Sequence, residues 1–329
     1  MLTQNLSGPK VLCHGAAAPL FNSNMPLHFK RKESVRKAVK RIARRRTEKA
    51  LEALQHCERL EAVHTVRKEI KQLRALLRFT REAIPASDYK CCSSDLREAA
   101  RCLACARDAH VKVRALTDLA KHFKKELAQR PFKQIKHLLA EDCRRERGEL
   151  SRSHAARQVE RILKNFGRRA DALSFRCSGW RAIGPGLRRS YCDGRRGYQH
   201  ACRMAAPENF HEWRKRVKDL YYQIGLLCAI WPEQMGAVDA ELDALGERLG
   251  DAHDLALLLE PKVLKGFQKC SEEEAEALTE LVEKREKELQ RSALLMGARF
   301  YQEKPSIFCN RLRQYWKRWR RDPRKLAQV

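Results

Sequence analysis

The chain states one segment twice. HTVRKEIKQLRALLRFTREAIP at His64–Pro85 returns as HEWRKRVKDLYYQIGLLCAIWP at His211–Pro232, each residue 147 positions after its counterpart. His64, Arg67, Lys68, Lys71, Leu73 and Pro85 align with His211, Arg214, Lys215, Lys218, Leu220 and Pro232. A duplicated core would not need the same histidine and the same cations, so the shared positions carry chemistry as well as packing. The segments downstream echo each other too: RDAHV at Arg107–Val111 and GDAHDL at Gly250–Leu255. The repeated unit is therefore a whole supersecondary structure, and the chain reads as two fused halves.

Glycine and proline are scarce, 15 and 11 residues, and cluster at breaks such as Pro85, Pro131, Gly179, Pro185, Pro207, Pro232, Pro305 and Pro323. Between them run long stretches of period 3.6, without the alternation that marks strands. The expected class is all-α, with helices near 33–57, 61–83, 93–127, 132–173, 186–205, 208–231, 234–258, 272–300 and 306–321. The expected organisation is a first helical half at 30–178 and a second at 179–322. They lie between a disordered tail at 1–29, where Met25 is an alternative start, and a short tail at 323–329.

On a helical wheel of about 100° per residue, Val66, Ile70, Leu73, Leu77 and Ile84 form one apolar arc, while His64, Arg67, Lys71, Arg74 and Arg78 form another. In the second copy Trp213, Val217, Leu220 and Ile224 make the core arc. His211, Arg214, Lys218 and Tyr221 make the other, with Lys215 and Tyr222 at its edge. Like charges one turn apart repel, and neither stripe interleaves the glutamates that would relieve a merely solvated face. The stripes therefore read as anion-binding surfaces. Arg36, Lys37, Lys40, Arg41, Arg44 and Arg45 precede the first copy, and Arg188, Arg189, Arg195 and Arg196 the second, so the first two helices of each half are expected to share a basic groove.

The whole chain agrees with that reading. Lys and Arg number 69 against 41 Asp and Glu, a net charge of +28 in 329 residues, which self-repels unless a polyanion is bound. DNA, RNA, an acidic membrane surface and inorganic polyphosphate all qualify. Thirteen cysteines, an odd number in a large chain, point to a reducing cytoplasm rather than a disulfide framework. No run approaches the roughly 18 apolar residues of a membrane span.

H-x-x-R-K-x-x-K at His64–Lys71 and His211–Lys218, with the acidic motifs at Arg107–Val111 and Leu249–Leu255, resembles the CHAD family, the conserved histidine α-helical domain. The resemblance covers about residues 30–320, and ENFHEWRKRVKDL with LGDAHDL is its most specific part. It implies two pseudo-symmetric four-helix bundles around a basic central cavity that binds inorganic polyphosphate, in a bacterial cytoplasm and often at polyphosphate granules. It implies no catalytic residues and no cofactor. Carried over, the binding roles fall on His64, Arg67, Lys68, Lys71, Arg74 and Arg78, and on His211, Arg214, Lys215, Lys218 and Tyr222. Arg41, Arg44, Arg188 and Arg189 are added as flanking cations. Tyr221 and Gly225 stand where the first copy has Arg74 and Arg78, so the second half is expected to grip less. Asp108, His110, Asp251, His253 and Asp254 are read as a supporting motif whose carboxylates orient the cations.

Other readings are weaker. His64, His110, His211 and His253 are not expected to bind metal, because cations beside His64 and His211 repel a divalent ion. Cys102 and Cys105 form a C-x-x-C without a second pair, and read as small apolar residues within a helix. His253-Asp254 suggests the metal-dependent HD phosphohydrolases, but the wider ligand set is missing, as are P-loop, H-E-x-x-H and E-x-E-x-K motifs. With the last motif absent, the chain reads as CHAD alone, without a fused CYTH domain. Tyr315, Trp316 and Trp319 among C-terminal cations resemble a nucleic-acid platform, yet core packing is the preferred reading. An RNA- or DNA-binding protein is the main alternative to a polyphosphate binder, and weak non-specific nucleic-acid binding is expected beside polyphosphate.

Overall fold

The computed structural model describes residues 27–56, 60–124, 132–152, 154–267 and 271–321. Among these the expected helical class is found: twelve α-helices, three one-turn 3-10 helices and no strand. The helices are α1 (Val35–Leu54), α2 (Leu60–Phe79), α3 (Ala86–Cys102), α4 (Ala104–His122), α5 (Lys133–Arg152) and α6 (Ala155–Ala172). There follow α7 (Trp180–Arg203), α8 (Pro207–Leu226), α9 (Pro232–Ala256), α10 (Pro261–Phe267), α11 (Glu272–Phe300) and α12 (Pro305–Arg320). The predicted tails at 1–29 and 323–329 lie outside the described residues, save 27–29.

The sequence repeat becomes a repeat of structure at α2 and α8. Both are 20 residues long with the histidine in fifth place, and each is followed by a 3-10 turn, Arg81–Ala83 or Cys228–Ile230. Pro85 then caps α3, and Pro232 opens α9. Proline suits both places, since the first turn of a helix leaves its N–H groups unpaired in any case.

Helices α1, α2, α3 and α6 pack on one another, as do α7, α8, α9 and α11, and α2 joins the two groups by packing on α7 and α8. One apolar core runs through both, from Val39, Ile42 and Phe166 to Trp213, Leu220 and Leu245. A smaller core lies where α4 and α5 meet the end of α9, α10 and α11, around Leu116, Ile135, Leu258 and Val282.

Several boundaries differ from the sequence expectation: α3 begins at Ala86 rather than at 93, and α10 at Pro261–Phe267 lies between two expected helices. The helix expected at 93–127 is two, broken at Leu103, which is fully buried; its side chain continues the apolar period across the break and hides it. The one expected at 132–173 is likewise two, α5 and α6. Helix α7 begins at Trp180 rather than 186, with Pro185 inside it; the stop is Gly179, at φ +57°. Gly186 is needed for contact, not for a turn. A Cβ there would sit 2.2 Å from the Phe79 carbonyl oxygen, where α7 crosses the end of α2.

A candidate anion-binding cleft between the repeated helices

The apolar arc of α2 is buried as the wheel predicts, with Val66, Ile70, Leu73 and Leu77 at 3% exposure or less. So are Trp213, Val217, Leu220 and Ile224 on α8. Because α2 packs against α8, these arcs face inward and parts of the two polar stripes border the same cleft. Its volume is about 380 Å³. Helix α2 supplies His64, Arg67, Lys68, Lys71 and Gln72, and α8 supplies Arg214, Lys218, Tyr221 and Tyr222. His110, Val111 and Arg114 of α4 close one side, and α9 closes the other with Asp243, Gly246, Glu247, Gly250, Asp251 and Asp254.

The glycines explain how long cations fit. Lys218 crosses α9 over Gly246, where a Cβ would lie 2.7 Å from its Cε, and Arg214 crosses over Gly250, where the Cβ would meet Nε and Nη2 at 3.4 Å. Glycine inside a helix costs about 1 kcal/mol relative to alanine, and here that cost makes a trough. The Lys218 ammonium ends 3.1 Å from Asp243 Oδ1 and 4.8 Å from the centre of the Tyr221 ring. Arg67 donates to the Ala100 carbonyl at 2.9 Å, tying α2 to α3. Burial pushes the Tyr222 hydroxyl up to about 12, against the pull of Arg214 and Arg46. Gln72 is 3% exposed, and neither its Nε2 nor its Oε1 has a hydrogen-bond partner among the described residues.

The cleft has six Arg and Lys side chains facing four carboxylates, so it is net cationic with one acidic wall. Burial first, then Lys71, Lys68, Arg114 and His110, hold His64 below the ordinary histidine value. Its neutral imidazole is therefore favoured over the charged form. Burial and then the neighbouring Asp254 raise the Asp251 carboxyl, against Arg114 and Arg248.

Not every expected site residue reaches the cleft. His211 does not line it, although His64 does; the His211 ring packs on His253, with centroids 4.0 Å apart. Lys215 is exposed and bonds Glu212. Arg78 forms an ion pair with Asp219 of α8, linking the halves, and Arg74 is half-buried beside Arg78. Arg41 is clasped by both oxygens of Glu33, at 2.9 and 2.7 Å. Arg44 pairs with Asp171 at 3.0 Å and Arg189 pairs with Glu82, while Arg188 is exposed on α7. The groove expected from these flanking cations is thus not part of the cleft. Of the acidic motifs, His110, Asp251 and Asp254 line it; Asp108 and His253 do not.

Sequence reasoning missed Gln72, Arg114, Asp243, Gly246 and Glu247. Two signals were available: Arg114 follows His110 by one turn, and Asp243, Glu247 and Asp251 recur every four residues ahead of the recognised motif. The remaining expectations concern packing and metals. Trp316 is buried against Phe29, Trp180 and Trp319, so the C-terminal aromatics serve the core. Among the described residues no disulfide is seen, and Cys102 is half-buried within the helical core; the Cys105 side chain lies outside the described residues. Among the described residues no group of three or more His, Cys, Asp or Glu is placed to hold a metal ion, and no helix is long and apolar enough to cross a membrane.

A family model described as CHAD domain matches residues 42–261. PptA from Streptomyces chartreusis is similar in structure, with a TM-score of 0.57 at 14% identity, over 82% of this chain and 100% of that one. The CHAD domain from the plant Ricinus communis is similar with a TM-score of 0.56 at 16% identity, over 88% and 94% of the two chains. No curated protein sequence matches this chain.

Proposed function

The chain belongs to the CHAD domain family, and on that premise we propose that it is a non-enzymatic protein that binds inorganic polyphosphate in the cleft between α2, α8, α4 and α9. One observation carries the reading: the cleft collects Arg67, Lys68 and Lys71 from one copy of the repeat and Arg214 and Lys218 from the other. A polyanion passing through it meets cations from both halves. Each Lys or Arg that replaces a condensed counterion releases it, and each Arg adds forked hydrogen bonds to phosphate oxygens. Stacking plays no part, since Tyr222 is largely buried and the Tyr221 ring lies under Lys218. Polyphosphate has no bases to stack, which favours it over nucleic acid as the ligand. We place the protein in a bacterial cytoplasm at polyphosphate granules, with the two halves acting as pseudo-symmetric bundles around the cleft.

The test is competition among long-chain polyphosphate, RNA and single-stranded DNA at matched salt and matched charge. Polyphosphate should win by about tenfold or more, because the cleft offers dense cations and no base-reading groups. Equal or reversed affinities would favour the nucleic-acid reading. Purified protein should release no phosphate from polyphosphate or nucleoside triphosphates with Mg²⁺ or Mn²⁺. Turnover lost in His253→Ala would instead establish a phosphohydrolase.

A further inference from the structure

The acidic wall is at odds with a site for bare polyphosphate. Asp243, Glu247 and Asp251 stand one turn apart on α9, with Asp254 beside them, and all four line the cleft together with the cations of α2, α4 and α8. Like charges at this spacing repel one another, and a phosphate chain lying against them would repel them further. Internal neutralisation accounts for only part of the row. Asp243 is paired with Lys218, but Glu247 is exposed and has no ion-pair partner among the described residues. The Asp251 carboxyl is crowded by Asp254.

We infer that the cleft takes polyphosphate together with divalent cations, Mg²⁺ foremost, with phosphate oxygens on the α2 side and hydrated cations bridging the phosphates to the α9 carboxylates. This rests on the polyphosphate reading and specifies the species bound. Mg²⁺ sheds its waters reluctantly and is usually held by one or two carboxylates plus phosphate oxygens rather than by a cage made wholly of protein. A row of single carboxylates opposite a phosphate-binding wall suits that habit, and so does the lack, among the described residues, of any converging group of three or more ligands. Gln72 independently marks the cleft as a ligand site. It lines the cleft, is 3% exposed, and leaves both amide atoms unpartnered among the described residues. Its nitrogen can donate to a phosphate oxygen and its oxygen can accept from a water on the cation.

The test is binding of long-chain polyphosphate, by fluorescence anisotropy, with and without about 2 mM Mg²⁺ at constant ionic strength. At that concentration Mg²⁺ should tighten wild-type binding by about threefold or more, where simple competition for the phosphates would weaken it. The combined variant Asp243→Asn, Glu247→Gln, Asp251→Asn, Asp254→Asn should lose this gain and bind Mg²⁺-free polyphosphate more tightly than wild type. Glu247→Gln alone, which removes an exposed charge and so leaves the fold intact, should reduce the gain. If Mg²⁺ weakens binding alike in wild type and variants, the carboxylates are only internal counter-ions and the inference fails. No binding in either condition would instead refute the polyphosphate reading itself.

Discussion

Lys68, Lys71 and Arg214 line the cleft from both copies of the repeat, and replacing all three with Gln should remove three of the proposed phosphate contacts while keeping good helix formers. Lys68 and Lys71 are half-exposed on a crowded cationic stripe, so the fold loses repulsion rather than packing there. The cost to binding follows from counterion release. Each lost contact removes about 0.7–0.9 from the slope of log affinity against log salt, so three contacts remove roughly 2–3. At about 0.1 M salt the same figures give a loss of roughly two to three decades in affinity, closing as salt approaches 1 M. The comparison is Arg313, Lys317 and Arg318 of α12 changed to Gln, an equal loss of charge on exposed side chains outside the cleft. Anisotropy titrations of labelled polyphosphate over a salt series measure both variants. The α12 triple should lose less than about threefold and keep its slope within about half a unit. If both triples lose affinity and slope equally, the charge acts diffusely and the cleft is not the site.

Three further outcomes follow from single groups. Because burial and then the surrounding cations hold His64 below its ordinary value while a bound polyanion would raise it, binding should take up protons; affinity should climb as pH falls through the bound-state value and level off below the free-state one, with a smaller climb in His64→Asn. Burial, reinforced by Asp243 and opposed by Lys218, raises the Asp239 carboxyl to about 6. The folded chain then holds that proton more tightly than the unfolded chain, and the group weakens folding as pH rises from about 4 through 6. Asp239→Asn should therefore stabilise by on the order of 1 kcal/mol at pH 7, after allowance for partial exposure, and by much less at pH 4; equal effects at both pH values in urea melts would refute this. Arg46 and Glu69 form an ion pair at 2.9 Å with side chains 6% and 2% exposed, so Glu69→Gln should cost about 3–5 kcal/mol in denaturant unfolding, whereas the paired change Arg46→Met with Glu69→Leu should be close to neutral.

The parts of this molecule that were legible in its sequence are those set by helical periodicity. The buried arcs of α2 and α8 follow from the spacing of Val66, Ile70, Leu73 and Leu77 and of Trp213, Val217, Leu220 and Ile224, and the same wheels turn Arg67, Lys71, Arg214 and Lys218 toward one another. What periodicity does not carry is the partner that each polar side chain meets across helices. Arg78 sits on the predicted stripe, yet Asp219, which stands in the second copy where the first has Gln72, draws it out of the site. His211 matches His64 in sequence, and each lies near the histidine of its own downstream motif, His253 or His110, yet only His64 and His110 border the cleft. Gly246 and Gly250 read as weak points in a helix until the cations lying across them are seen. The acidic wall of α9 is only half visible in the sequence, because Asp243 and Glu247 precede the repeated motif that contains Asp251 and Asp254.

A structure of the protein with bound polyphosphate tests the central claim most directly. The account predicts a chain of phosphates between α2, α8 and α9, within hydrogen-bond reach of Lys68, Lys71, Arg214 and the Gln72 amide, with His211 outside contact. Phosphates lying instead along α1 and α7, against Arg44, Arg188 and Arg189, and an empty cleft, would contradict it.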